Sequence, residues 1–164
     1  MMSKAKYTKD HSFNQPDNET ANRKYYIDSS IESDEQWKFL LNLVFKVADT
    51  IEFNILMKSY KSILDKELLS EVPQVFPGKT GKIYSTSKYI QFPLTDVMRN
   101  FMLLKKYSEW YNYCIEDPAF LKEGKELLAT ITHENYVIML LSEEQRGVLN
   151  SKGFNFDVEW ILPY

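Results

Sequence analysis

Apolar positions between Ser33 and Ala48 recur at steps of three and four: Trp37, Leu40, Leu41, Val44, Val47 and Ala48. On a helix these share one face, which needs a partner to bury it. Ser33 with Gln36 three positions on is a capping-box pattern, so the helix is expected to start there. After Asp49 the period changes to two, with Ile51, Phe53 and Ile55 on one side and Glu52 and Asn54 on the other. That alternation predicts a half-buried strand and puts Glu52 on its wet face.

The same reading runs along the chain. Residues 1–24 are polar, with only Tyr7 and Phe13 as anchors, and are expected to form an arm outside the folded domain, 25–164. Tyr25 to Ile31 predicts a first strand, and Tyr60, Ile63, Leu64, Leu68 and Leu69 a second helix ending before Pro73. Pro73, Pro77, Gly78 and Gly81 mark a loop, followed by a strand over Lys82 to Phe92, with a hairpin bend at Ser85 to Lys88 as the alternative. The longest helix is expected from Asp96 to Ile115, stopped by Asp117-Pro118, and the same pair would cap a helix over Ala119 to Ala129.

Thr132 to Asn135 turns the chain, and the unbroken apolar run Tyr136 to Leu141 predicts a central strand buried on both faces. Ser142 and Gln145 repeat the capping-box spacing ahead of a short helix. Phe154, Phe156, Val158 and Trp160 then alternate with Asn155, Asp157 and Glu159, a strand with one side wet. These elements predict an α+β domain, or a mixed α/β one, with a central sheet of about four or five strands and about four or five helices packed on it. The Ser-to-Gln boxes recur, but the unequal periods argue against an internal repeat.

Composition narrows the functional classes. A chain of 164 residues needs no staple to hold its core. Twenty basic against 23 acidic side chains leave a net charge of −3, too mild to draw the protein to nucleic acid or anionic lipid. One cysteine, Cys114, excludes an intramolecular disulfide and a Cys-rich zinc site. With no apolar leader in Met1 to Arg23 and no run of membrane-spanning length, a cytoplasmic location is expected.

No linear signature of catalysis is present. Gly78-Lys79-Thr80 resembles a P-loop tail, but Pro73 stands where the motif needs glycine, so the stretch reads as a turn. There is no Gly-x-Ser-x-Gly elbow and no dinucleotide loop. Glu143 and Glu144 suit the first turn of a helix. His133 beside Glu134 could be an oriented base, yet without a nucleophile it reads as a solvated turn residue, and His11 lies in the arm. Catalytic residues, metal and cofactor are therefore all expected to be none.

The least ordinary segment lies in the predicted long helix, where Tyr107, Trp110, Tyr111 and Tyr113 crowd into seven residues. One helix cannot hide all four against a single sheet, so Tyr107, Trp110 and Tyr113 are candidate contact residues, with Glu52, Asp157 and Glu159 on wet strand faces carrying local electrostatic steering of a partner. The function this implies is a non-enzymatic protein-binding module, most concretely a bacterial toxin-neutralising immunity protein or inhibitor. One alternative is a small enzyme whose carboxylate, Tyr or His site leaves no linear motif. Another is a single-stranded nucleic-acid binder using Lys105, Lys106 and the aromatics, which the acidic balance disfavours.

Overall fold

In the computed structural model, which describes residues 22–64, 66–71, 73–77 and 88–161, both capping boxes form. The Ser33 hydroxyl accepts from the Gln36 N–H at 3.1 Å and opens α1 (Asp34–Val44). The Ser142 hydroxyl accepts from the Gln145 N–H at 3.2 Å and opens α5 (Glu143–Ser151). Between them lie the single-turn helices α2 (Tyr60–Ile63) and α3 (Lys66–Leu69), and α4 (Asp96–Leu104), capped by Thr95.

The strands are β1 (Lys24–Asp28), β2 (Thr50–Ile55), β3 (Gln74–Phe76), β4 (Tyr89–Pro93), β5 (Ile115–Lys122), β6 (Lys125–Ile131), β7 (Tyr136–Leu141) and β8 (Val158–Glu159). They form one open sheet in the order β3-β4-β2-β5-β6-β7-β1-β8, and every pairing is antiparallel. This corrects the expected α+β or mixed α/β domain built on four or five strands: the sheet has eight, and only three helices exceed one turn among the described residues.

The undercount has one main source, the segment from Lys105 to Ile131. The expected helix from Asp96 to Ile115 stops at Leu104, and a 3-10 turn (Tyr107–Trp110) follows, held by the Lys106 N–H donating to Glu109 Oε2 at 2.6 Å. The expected helix over Ala119 to Ala129 is instead the β5–β6 hairpin. Its two-residue turn, Glu123-Gly124, has φ of 49° and 81°, the left-handed pair that matches strand twist. Ala119, Phe120 and Leu121 are all buried because β5 lies between β2 and β6 with both faces covered.

Asp117-Pro118 lies inside β5 at a bulge, where Glu52 faces Ala119 and Asn54 faces Glu116, so two residues oppose Phe53 alone. A proline belongs in a sheet interior only at such a place, where no ladder N–H is needed.

One face of the sheet carries the main core. Phe92, Ile51, Phe120, Leu128 and Met139 from successive strands meet Trp37, Leu40 and Leu41 of α1, Met98 and Met102 of α4 and Leu149 of α5. The opposite face holds a smaller cluster of Ala119, Leu121, Ala129, Ile131 and Ile138, with Tyr25, Ile27, Tyr136 and Trp160 packed around it. The polar arm expected at 1–24 lies outside the described residues up to 21, as do the expected turn at 78–80 and the Ser85 to Ser87 part of the hairpin alternative. Among the described residues, no helix is long and apolar enough to cross a membrane.

Candidate functional site

Burial decides the fate of the aromatic run. Trp110 has no exposed surface: its ring stacks on Phe53 of β2 at 5.3 Å and meets Phe101 edge-on at 5.8 Å. Tyr107 is buried against Trp37 at 5.0 Å and donates its hydroxyl proton to the Tyr136 carbonyl at 3.2 Å. Burial, with the Asp117 charge adding to it, pushes the Tyr107 phenol far above its ordinary value. Tyr113 is half-buried edge-on to Trp110, with the Lys105 ammonium 3.8 Å from its ring centre. These side chains close the core over the sheet, so Trp110 and Tyr107 are not displayed for a partner. Lys105 is held over Tyr113, while Lys106 is exposed. Tyr111, 58% exposed, is the outward member of the run.

Glu52 is also inside, 3% exposed, because β2 is covered on both faces, and its Oε1 accepts from Gln91 Nε2 at 2.9 Å across to β4. Alternation along β2 was real, but the face assigned to solvent is lined by other strands' side chains.

Asp157 and Glu159 are exposed; Asp157 immediately precedes β8 and Glu159 lies in it, at one edge of the sheet. The approach to β8 is fixed from inside. Phe154 and Phe156 are buried in the main core. The Asp28 carboxylate, fully buried, accepts from the Asn155 N–H at 2.6 Å and from the Ser30 N–H at 2.7 Å. Asn150 receives the Phe156 N–H at 2.8 Å and donates to Asp157 Oδ1 at 3.1 Å. The Trp160 N–H then donates to the Tyr25 carbonyl at 2.7 Å, extending β8 along β1.

On this pinned edge Val158 is 63% and Ile161 78% exposed, with Asp157 and Glu159 interleaved. Lys24 lies 3.7 Å from Glu159 in an exposed pair, which holds it weakly. Among the described residues no strand pairs with the outer side of β8.

A second cluster forms where β5 begins and β6 turns into β7. Glu116, Asp117 and His133 each bring a donor atom within 4.8 Å of the others. Asp117, buried and with a φ of 52°, accepts from the Thr132 N–H and the Thr132 hydroxyl at 2.7 Å on Oδ1, and from Asn54 Nδ2 at 3.0 Å on Oδ2. Burial and then the Asp117 charge raise the Glu116 carboxyl above its ordinary value, with His133 opposing. His133 is exposed, its Nε2 3.7 Å from Glu134 Oε1, beyond hydrogen-bond range.

A neighbouring surface pocket is lined by Ile31, Tyr107, Tyr111, Thr132 and Asn135, without Glu116, Asp117 or His133. No protein-family model, no curated protein and no solved structure matches this chain. Both sites therefore rest on geometry alone.

The sequence pattern places Asp157 and Glu159 on a wet strand face, where both are exposed, and does not bring Glu116, Asp117 and His133 together. The approach of His133 to Glu116 and Asp117 depends on the register of the β5–β6 hairpin. An Asp-Pro pair within a strand was the available signal, since it marks a bulge that redirects side chains.

Proposed function

We propose that the protein is a non-enzymatic binding module for a basic protein partner, which it engages through the β8 edge. A toxin-neutralising inhibitor working in the cytoplasm is the concrete form of this reading. The observation that carries it is the conjunction at and beside β8: Val158 and Ile161, exposed, alternate along the chain with the exposed acids Asp157 and Glu159, and β8 has no strand partner on its outer side among the described residues. An extended segment of the partner could add to such an edge by main-chain hydrogen bonds, with the apolar pair supplying contact area and the acids fixing charge. Pre-organisation supports it further, because the hydrogen bonds of Asp28 and Asn150 have ordered the segment before any partner arrives. The buried free thiol of Cys114 suits a reducing compartment.

The test is co-production of the chain with the product of the adjacent reading frame. The reading expects a stable complex and protection from that product's toxicity, both lost in a Val158→Glu, Glu159→Lys double variant that unfolds like the parent. A variant that protects as well as the parent would contradict it.

A second reading, a small enzyme, is favoured by the gathering of Glu116, Asp117 and His133. It ranks below the first because the adjacent pocket is not lined by the cluster.

A further inference from the structure

Neighbouring residues in a regular strand point to opposite sides of the sheet. Glu116 and Asp117 break this rule. The β5 bulge, with Asp117 in the left-handed region, brings both carboxylates to one place and presents them to the His133 imidazole on the turn after β6. We propose that Glu116, Asp117 and His133 together bind one divalent transition-metal ion of the zinc class.

The donor set favours that class. An imidazole nitrogen with two carboxylate oxygens suits zinc and its neighbours, whereas magnesium and calcium prefer all-oxygen shells. The spread of the three donor atoms, within 4.8 Å of one another, is close enough for one ion to be reached by modest side-chain rotation. Three protein ligands leave a coordination position for water.

Asp117 is held as a ligand needs to be held. Thr132 fixes Oδ1 through two hydrogen bonds, and Asn54 takes only one of the lone-pair directions of Oδ2, leaving the other for an ion. Glu116 and His133, partly and largely exposed, are free to swing inward. Glu134 is the competing group, since its Oε1 lies 3.7 Å from His133 Nε2. The ion would tie the start of β5 to the β6–β7 turn. Strands β7 and β1 stand between it and β8, and none of its three ligands belongs to the edge segment, so the two proposals are tested independently.

The experiment is a calorimetric titration of the full chain, freed of metal, with zinc chloride, repeated on His133→Ala, Glu116→Gln and His11→Ala. The sequence holds only two histidines, so His11→Ala controls for binding elsewhere. The expected result is one ion per chain for the parent and His11→Ala, with affinity at least about tenfold weaker in His133→Ala and Glu116→Gln. Both of those positions are accessible, and matching urea midpoints without metal would show that the variants fold. Absence of stoichiometric binding by the parent, or equal binding by His133→Ala, would overturn the proposal. So would a cobalt(II) derivative whose visible absorption is the same with and without His133.

Discussion

The buried carboxylate of Asp28 accepts the backbone N–H of Asn155 at 2.6 Å, joining the end of β1 to the segment that leads into β8. The same carboxylate takes the N–H and hydroxyl of Ser30, at 2.7 and 2.6 Å, so one side chain organises two chain reversals. Asp28→Ala would leave buried donors unmatched and is expected to lower stability by about 3 kcal/mol. Hydrogen exchange would show the loss concentrated at Asn155 and Trp160, while the β5–β6 hairpin keeps its protection. Uniform loss across the sheet would show that Asp28 supports the whole fold and not the edge.

Trp110 fills the space between Phe53 and Phe101. Trp110→Ala is expected to cost about 3–5 kcal/mol in urea unfolding, as for other large aromatic deletions from cores. A loss below about 1 kcal/mol would return Trp110 to the surface role that its sequence context suggested.

Gly124 has a φ of 81° with nothing within 4 Å of a built Cβ, so a substitution there meets conformational strain and no clash. Gly124→Ala is expected to destabilise by about 1 kcal/mol. Glu123→Asn, at a φ of 49°, should be neutral or stabilising because Asn tolerates the left-handed region. Equal costs at the two positions would argue against a turn with both central residues left-handed.

Asp49 ties this hairpin to β2. Burial raises its carboxyl, but the Glu123 N–H at 3.0 Å, the Thr50 hydroxyl at 2.9 Å and Lys122 together outweigh that and hold it below its ordinary value. A depressed folded value means that Asp49 contributes stability above the unfolded carboxylate's titration and loses it as pH falls through the folded one. The parent should therefore lose stability in acid more steeply than Asp49→Asn, with the two curves converging at the lowest pH. Parallel curves in chemical denaturation would contradict this assignment.

Much of this fold was legible because it is local. Ser33 with Gln36, and Ser142 with Gln145, announce helix starts by chemistry confined to four residues. Tyr136 to Leu141 reads as a buried strand from its unbroken apolar run.

The β5–β6 hairpin was illegible because Ala119-Phe-Leu-Lys-Glu-Gly-Lys-Glu-Leu-Leu-Ala129 is made of helix formers, and tertiary burial on both faces overrides that preference. Gly124 suits the left-handed turn, but Glu123 before it is not a usual turn residue, so the pair gives no clear hairpin signal. Glu52 was assigned to solvent because alternation identifies two faces without saying what covers each. Asp157 and Glu159 read correctly as exposed because an edge strand has little to bury them. The cluster of Glu116, Asp117 and His133 depends on a bulge and a hairpin register, neither of which a linear pattern states.

The claim on which the functional account depends is that residues 157–161 are where a partner meets this protein. Hydrogen-exchange mass spectrometry of the chain, alone and saturated with the adjacent reading frame's product, tests it most directly. The account predicts new protection centred on Val158 to Ile161 and the facing part of β1. Protection centred on Glu116 to His133, with the β8 edge exchanging as fast as in the unbound protein, would contradict it.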